Sequence, residues 1–117
     1  MKKMLKIYIR ENDTFKGHSK YKLIVDVIKE NGVRGTTVIK GIYGYGERGV
    51  SEVDIVNLSF NLPVIIECVD EENNIQKIIP KLKEIIGNNG LMCLLDVEVI
   101  DWEPLIIYNW MIIWIIQ

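Results

Sequence analysis

Residues 62–69 read Leu-Pro-Val-Ile-Ile-Glu-Cys-Val, apolar at nearly every position. A run this short and this rich in branched side chains reads as a strand, and apolar residues at both alternating sets predict a central strand covered on both faces. Pro63 suits its first position, where no ladder donor is lost. Working forward, Asp70 is a candidate N-cap for a helix in which Ile75, Ile78, Ile79, Leu82, Ile85 and Ile86 recur at helical spacing. Glu71 and Glu72 in its first turn, with Lys81 and Lys83 further on, suit the helix dipole. Pro80 predicts a kink or an irregular start before it. The turn GNNG closes this helix, and LMCLLDVEVI supplies a last strand.

Working backward, Thr36 to Tyr43 predicts another strand, followed by a long connection reaching Asn61, part of it extended where Val53 and Ile55 alternate with Glu52 and Asp54. Before it, Tyr21, Ile24, Val25 and Ile28 mark a helix with Ser19 as candidate N-cap and Gly32 just past its end. Leu5, Ile7 and Ile9 alternate with Lys6, Tyr8 and Arg10 in a half-buried first strand, and Glu11 to Gly17 is a polar turn region. The element order β-α-β-β-α-β is that of an α+β, ferredoxin-like domain over residues 1–101: a four-stranded antiparallel sheet in order 4-1-3-2 with both helices on one face. No helix covers the opposite face, so association with further copies is expected to shield it.

Residues 102–117 stand apart as a hydrophobic extension, with eleven of the thirteen residues from Leu105 to Gln117 apolar. As a helix this run is about 20 Å long, too short for roughly 30 Å of hydrocarbon. Its Ile and Trp content favours an extended strand or hook packed on the open sheet face or on a neighbouring subunit. Docking to a membrane surface or a partner protein, and a disordered end, are the alternatives.

Composition narrows the chemistry. A single domain of 117 residues with a formal charge of −2 has no basic field for nucleic acid. Cys68 and Cys93, the two cysteines, lie in apolar runs without a CxxC, which points to reduced thiols in a cytoplasmic protein and away from zinc, iron-sulfur or redox sites. The N-terminus alternates and does not read as a signal peptide. The first loop, ENDTFKGHS, lacks the CxxC of heavy-metal carriers, and the central strand lacks base-stacking aromatics. The glycine loop with an arginine expected of an acylphosphatase is missing after the first strand. His18, the sole histidine, sits in a polar loop and reads as solvated. No nucleophile, base and orienting group assemble, so no enzyme and no cofactor are expected.

One candidate site remains, residues 32–49, GVRGTTVIKGIYGYGERG, holding six of the nine glycines. Glycine amides such as those of Gly35, Gly44 and Gly46, with the hydroxyls of Thr36 and Thr37, can form an anion-binding nest, and Lys40 and Arg48 add positive charge. The alternative is a tight turn with bulges in a twisted hairpin.

The pattern Gly32-x-x-Gly35-x-Thr37-Val38, then Gly41-Ile42-x-Gly44-Tyr45-Gly46, resembles PII signal-transduction proteins and, more closely, the PII-like domain-of-unknown-function family one-ninety. The match continues through Leu58-Ser59, Leu62 to Glu67, Val69-Asp70, Ile75, Pro80, Leu82, Gly90-Leu91 and Asp96 to Val99. The resemblance implies a homotrimer with sheets facing inward and a nucleotide or other small anionic effector in the clefts between subunits. It places Thr37 and the amides of Gly44 and Gly46 on the phosphate side of that cleft. Residues 47–61 would form an effector loop that engages a target such as a membrane transporter or channel. The GNNG turn lacks the lysine of the corresponding PII loop.

Overall fold

A computed structural model describes residues 1–52, 61–101, 105–108 and 111–114. Its main sheet joins β1 (Lys2–Arg10), β4 (Thr37–Lys40), β7 (Pro63–Glu71) and β8 (Leu91–Asp96), all antiparallel, in spatial order β4-β7-β1-β8. With α1 (Lys20–Glu30) and α2 (Glu72–Ile86), this is the ferredoxin-like arrangement expected, in the strand order expected. Three two-stranded ribbons decorate it: β2 (Thr14–Phe15) with β3 (His18–Ser19), β5 (Tyr43–Gly46) with β6 (Gly49–Glu52), and β9 (Leu105–Tyr108) with β10 (Met111–Trp114).

The core lies between the sheet and the two helices. Leu5, Ile7 and Ile9 of β1 and Val64, Ile66 and Cys68 of β7 meet Ile24 and Ile28 of α1 and Ile75, Ile78, Leu82, Ile85 and Ile86 of α2. The period of two on the strands and of 3.6 on the helices puts these side chains on facing surfaces. Burial pushes the Cys68 thiol up to about 11, with the Asp70 charge adding to it.

Several local expectations are corrected. The helix-2 N-cap is Glu71, one residue later than expected. Asp70 instead ties three segments together: its carboxylate accepts from the amides of Glu71 and Arg34 and from Asn74 Nδ2 at 2.6, 3.2 and 3.0 Å. Burial opposes its ionisation, but those hydrogen bonds and the nearby Arg34 charge outweigh burial and hold its carboxyl below the ordinary value of 3.8. Helix α2 runs without interruption through Pro80, which is exposed. Ser19 is the N-cap of α1, yet its side chain makes no capping bond, and its Oγ is buried without a partner.

Helix α1 also begins on a buried lysine. Lys20 is 6% exposed and its Nζ donates to the Ile86 carbonyl at 2.6 Å, which places a cation at the C-terminal end of α2.

The strand expected from Thr36 to Tyr43 breaks at Gly41 and Ile42, and the glycine-rich connection begins as the β5–β6 ribbon. The expected extended stretch at Val53 and Ile55 lies outside the described residues. The last strand ends at Asp96. Both cysteines are free, Cys68 buried and Cys93 partly exposed. Among the described residues no helix is long and apolar enough to cross a membrane.

Pairing across the sheet also defines its open face. Tyr8 stands opposite Ile65 and Leu91, Lys6 opposite Glu67 and Cys93, and Met4 opposite Val69 and Leu95. Thr37 and Ile39 extend the same face on β4. Apart from Thr37 and a Lys6–Glu67 ion pair at 3.4 Å these positions are apolar, and Tyr8, Ile39, Leu91 and Leu95 are exposed.

Candidate functional site: two clefts at the sheet

Two clefts flank β7. The first, of about 590 Å³, is bounded by Arg10 at the end of β1, by Gly46 and Arg48 of the β5–β6 ribbon, by Pro63, and by Asn88 and Asn89 in the turn before β8. The second, of about 530 Å³, lies at the start of β4 among Arg34, Gly35, Thr37, Glu67 and Val69. Between Pro63 and Glu67 the strand rises about 13 Å, so within one chain these are separate sites. The predicted residues therefore divide: Gly44, Gly46 and Arg48 line the ribbon cleft, and Gly35 and Thr37 the edge cleft. Lys40 lines neither and is paired with Glu11, whose hydrogen bond and charge raise its pKa.

The ribbon is held over the first cleft by charge. Arg48 donates from both terminal nitrogens to the Asp13 carboxylate at 2.7 and 2.9 Å. Arg10 donates through Nη2 to the Gly49 carbonyl, and its amide donates to Asp13 at 3.0 Å. Burial of Asp13 works against ionisation, but the Arg48 hydrogen bond, the Arg10 amide and the charges of Arg48 and Lys20 prevail, so its carboxyl stays below 3.8. A guanidinium carries five N–H donors. Arg48 thus keeps donors beyond the two committed to Asp13, and Glu47, Asn88 and Asn89 share the lining of the same cleft.

The glycines now separate by cause. A Cβ on Gly41 would lie 2.8 Å from Pro63 Cγ, which leaves no room for it, and one on Gly44 would lie 3.2 Å from the same atom, a tight contact. Gly49 closes the Glu47–Arg48 turn with φ +94, a left-handed conformation that costs other residues strain. A Cβ on Gly90 would lie 2.6 Å from Ile86 Cγ2, so this position also has no room for a side chain. Gly35 and Gly46 are different: a Cβ at either would meet nothing within 4 Å, and neither has positive φ. Among the described residues nothing requires glycine at those two positions, and each lines one of the clefts.

Sequence reasoning missed Arg10, Asp13, Asn88 and Asn89. Arg10 read as one more polar alternation and GNNG as a helix stop; the only available signal was that both adjoin the glycine segment once the strands are paired. His18 is exposed on β3. Among the described residues no three His, Cys, Asp or Glu side chains gather as a metal site.

An antiparallel β4-β7-β1-β8 sheet with two helices on one face and a glycine ribbon over one end is the architecture of PII-like proteins. Solved structures agree on the fold. The nitrogen regulatory PII-like protein CPII of Thiomonas intermedia K12, bound to ADP, AMP and bicarbonate, superposes with a TM-score of 0.64 at 20% identity, covering 84% of this chain and 87% of that one. Arabidopsis thaliana PII bound to citrate superposes with a TM-score of 0.55 at 18% identity, covering 82% and 77%.

Sequence then gives the family. The profile of DUF190, described as uncharacterized ACR, matches residues 2–99, and the chain belongs to that family. The UPF0166 protein MJ1524 of Methanocaldococcus jannaschii is 56% identical over 101 residues, covering 86% of this chain and 94% of that protein. A UPF0166 protein of Aquifex aeolicus is 41% identical over 101 residues, covering 85% and 93%.

Proposed function

We propose that this chain is a non-enzymatic PII-like regulatory protein of the cytoplasm, working as a homotrimer that binds a small anionic ligand of the nucleotide class between subunits. The open sheet faces turn inward, which removes Tyr8, Ile39, Leu91 and Leu95 from water. The Lys6–Glu67 pair is already satisfied across the strands, so a neighbouring face meets no unpaired charge there. At each seam the edge cleft of one subunit meets the ribbon cleft of the next, and the two halves of the glycine segment, separate in one chain, act on one ligand.

Gly35 and Gly46 carry this reading. Glycine without an internal reason, lining a cleft, leaves room for a backbone to approach something else. The solved PII-like neighbours add support, since ADP, AMP, bicarbonate and citrate are all small anions. Ligand contact at the Arg48 donors that Asp13 leaves free adds a second tie to the ribbon, which repositions it and with it the effector segment that follows. A target protein, with a membrane transporter or channel as the partner the resemblance suggests, then reads the change as an order-disorder or positional switch.

Titration calorimetry of the intact protein with ATP, ADP, AMP, bicarbonate and citrate tests this, repeated with Gly46→Val. The open space at Gly46 lets the variant fold. At least tenfold weaker binding of one of these anions is expected in it. Saturable binding that the substitution leaves unchanged, or no binding to any of the five, contradicts the reading.

A further inference from the structure

We infer that the C-terminal β9–β10 ribbon is an assembly element that adds to the free edge of β8 in a second copy of this chain. The family profile ends at residue 99, so the ribbon lies beyond the part shared with the family.

Three observations lead to this pairing. First, among the described residues β8 is an edge strand, hydrogen-bonded to β1 alone. Its sequence from Leu91 to Leu95 has no charge or proline, the devices that normally protect an exposed edge. Leu94 and Leu95, on opposite faces, are 40% and 41% exposed, so apolar surface is uncovered on both sides of that edge.

Second, the ribbon pairs Leu105 with Trp114, Ile106 with Ile113, Ile107 with Ile112 and Tyr108 with Met111. Every position is apolar or aromatic, so both alternating sets are. A ribbon lying on one surface needs only one such set, whereas strands built into a sheet covered on both sides need two. Added beside β8, the ribbon would continue the core face and the inward face together. An isolated two-stranded ribbon is marginal in water, so it gains stability from joining the sheet.

Third, the occupant is a copy of this chain and not a lipid surface. No Lys, Arg or His follows Lys83, while Asp96, Glu98, Asp101 and Glu103 lead into the ribbon. Peripheral membrane anchors pair an apolar face with cations, and an acidic approach is repelled by anionic headgroups. Among the described residues the ribbon pairs only with itself, not with β8. The radius of gyration, 16.4 Å, exceeds the roughly 13 Å of a compact domain of this length. Residues 97–104 can reach up to roughly 29 Å, enough to cross to a neighbouring copy.

The experiment compares the full chain with a full-length Ile107→Lys, Ile112→Lys variant, which sets two cations opposite each other in the ribbon. Amide hydrogen exchange of residues 91–95 is followed over a dilution series, with sedimentation mass and flotation on phosphatidylcholine vesicles, neutral and anionic. Protection of these amides in the parent that falls on dilution, at least tenfold lower in the variant, is expected. Equal protection in both chains overturns the inference, as does ribbon-dependent flotation with unchanged protection. The variant's mass reports separately on the open-face trimer: three chains if that interface stands alone, one chain if it does not.

Discussion

Strand β7 has two sides with different fates. Val64, Ile66, Cys68 and Asp70 point to the helices and are buried, while Ile65, Glu67 and Val69 point away and stay partly exposed. In the sequence these sets look alike, because LPVIIECV is apolar on both. One side is completed within the chain by α1 and α2; the other is as apolar, and among the described residues no helix lies over it. The difference separates what folding of one chain achieves from what an assembly must supply.

That comparison is most sharply broken by exchanging equivalent residues across the strand. Ile66→Ala opens a cavity in a site that is 1% exposed and is expected to cost about 2–5 kcal/mol in denaturant unfolding. Ile65→Ala, one residue away on the open face, is expected to change the stability of a dissociated chain by less than about 1 kcal/mol and to weaken self-association instead. Equal losses of stability in the two variants would mean that the open face is already covered within the chain.

Asp70→Ala comes next, at about 1–3 kcal/mol, because it leaves the Glu71 and Arg34 amides and Asn74 without their charged acceptor. The sign with pH follows from its depressed carboxyl pKa. The stabilisation is fully present above 3.8, the unfolded value, and disappears as pH falls through the lower folded one. The gap between wild type and variant in a pH series of thermal melts should therefore narrow only below pH 3.8; a constant gap down to pH 2 would refute the ionic role.

Gly41→Val and Gly46→Val form a smaller contrast within the ribbon. The first forces a side chain against Pro63 and is expected to cost about 1–3 kcal/mol. The second enters open space and should leave the melting temperature unchanged while removing ligand binding. The smallest effect belongs to Arg48→Ala. Its pair with Asp13 is partly exposed, so global stability should fall by no more than about 1 kcal/mol. Faster amide exchange across Tyr43–Glu52 is expected to be its main signature, and unchanged exchange there would remove the charge latch from the account.

Much of the fold was legible because it rests on period. The 3.6 repeat of α2 and the alternation of β1 fix which side chains meet, and split-βαβ connectivity leaves few sheet orders. The small ribbons were not legible. Thr14–Phe15 with His18–Ser19 is too short to show a pattern, and Tyr43–Gly46 is half glycine, which strand propensity counts against.

The site was half legible. Glycine density marked the segment, but not that Gly41 and Gly44 crowd Pro63 while Gly35 and Gly46 meet nothing among the described residues. Lys40 looked like a cleft cation until pairing placed it beside Glu11. Arg10, Asn88 and Asn89 gain meaning only from the ends of β1 and β8 lying side by side, a consequence of tertiary pairing that no local pattern carries.

Sedimentation equilibrium of the intact chain at micromolar concentration is the most direct trial. A bare, apolar sheet side finished by identical neighbours predicts a mass of three 13.6 kDa chains. A stable, soluble species with the mass of one chain would contradict it.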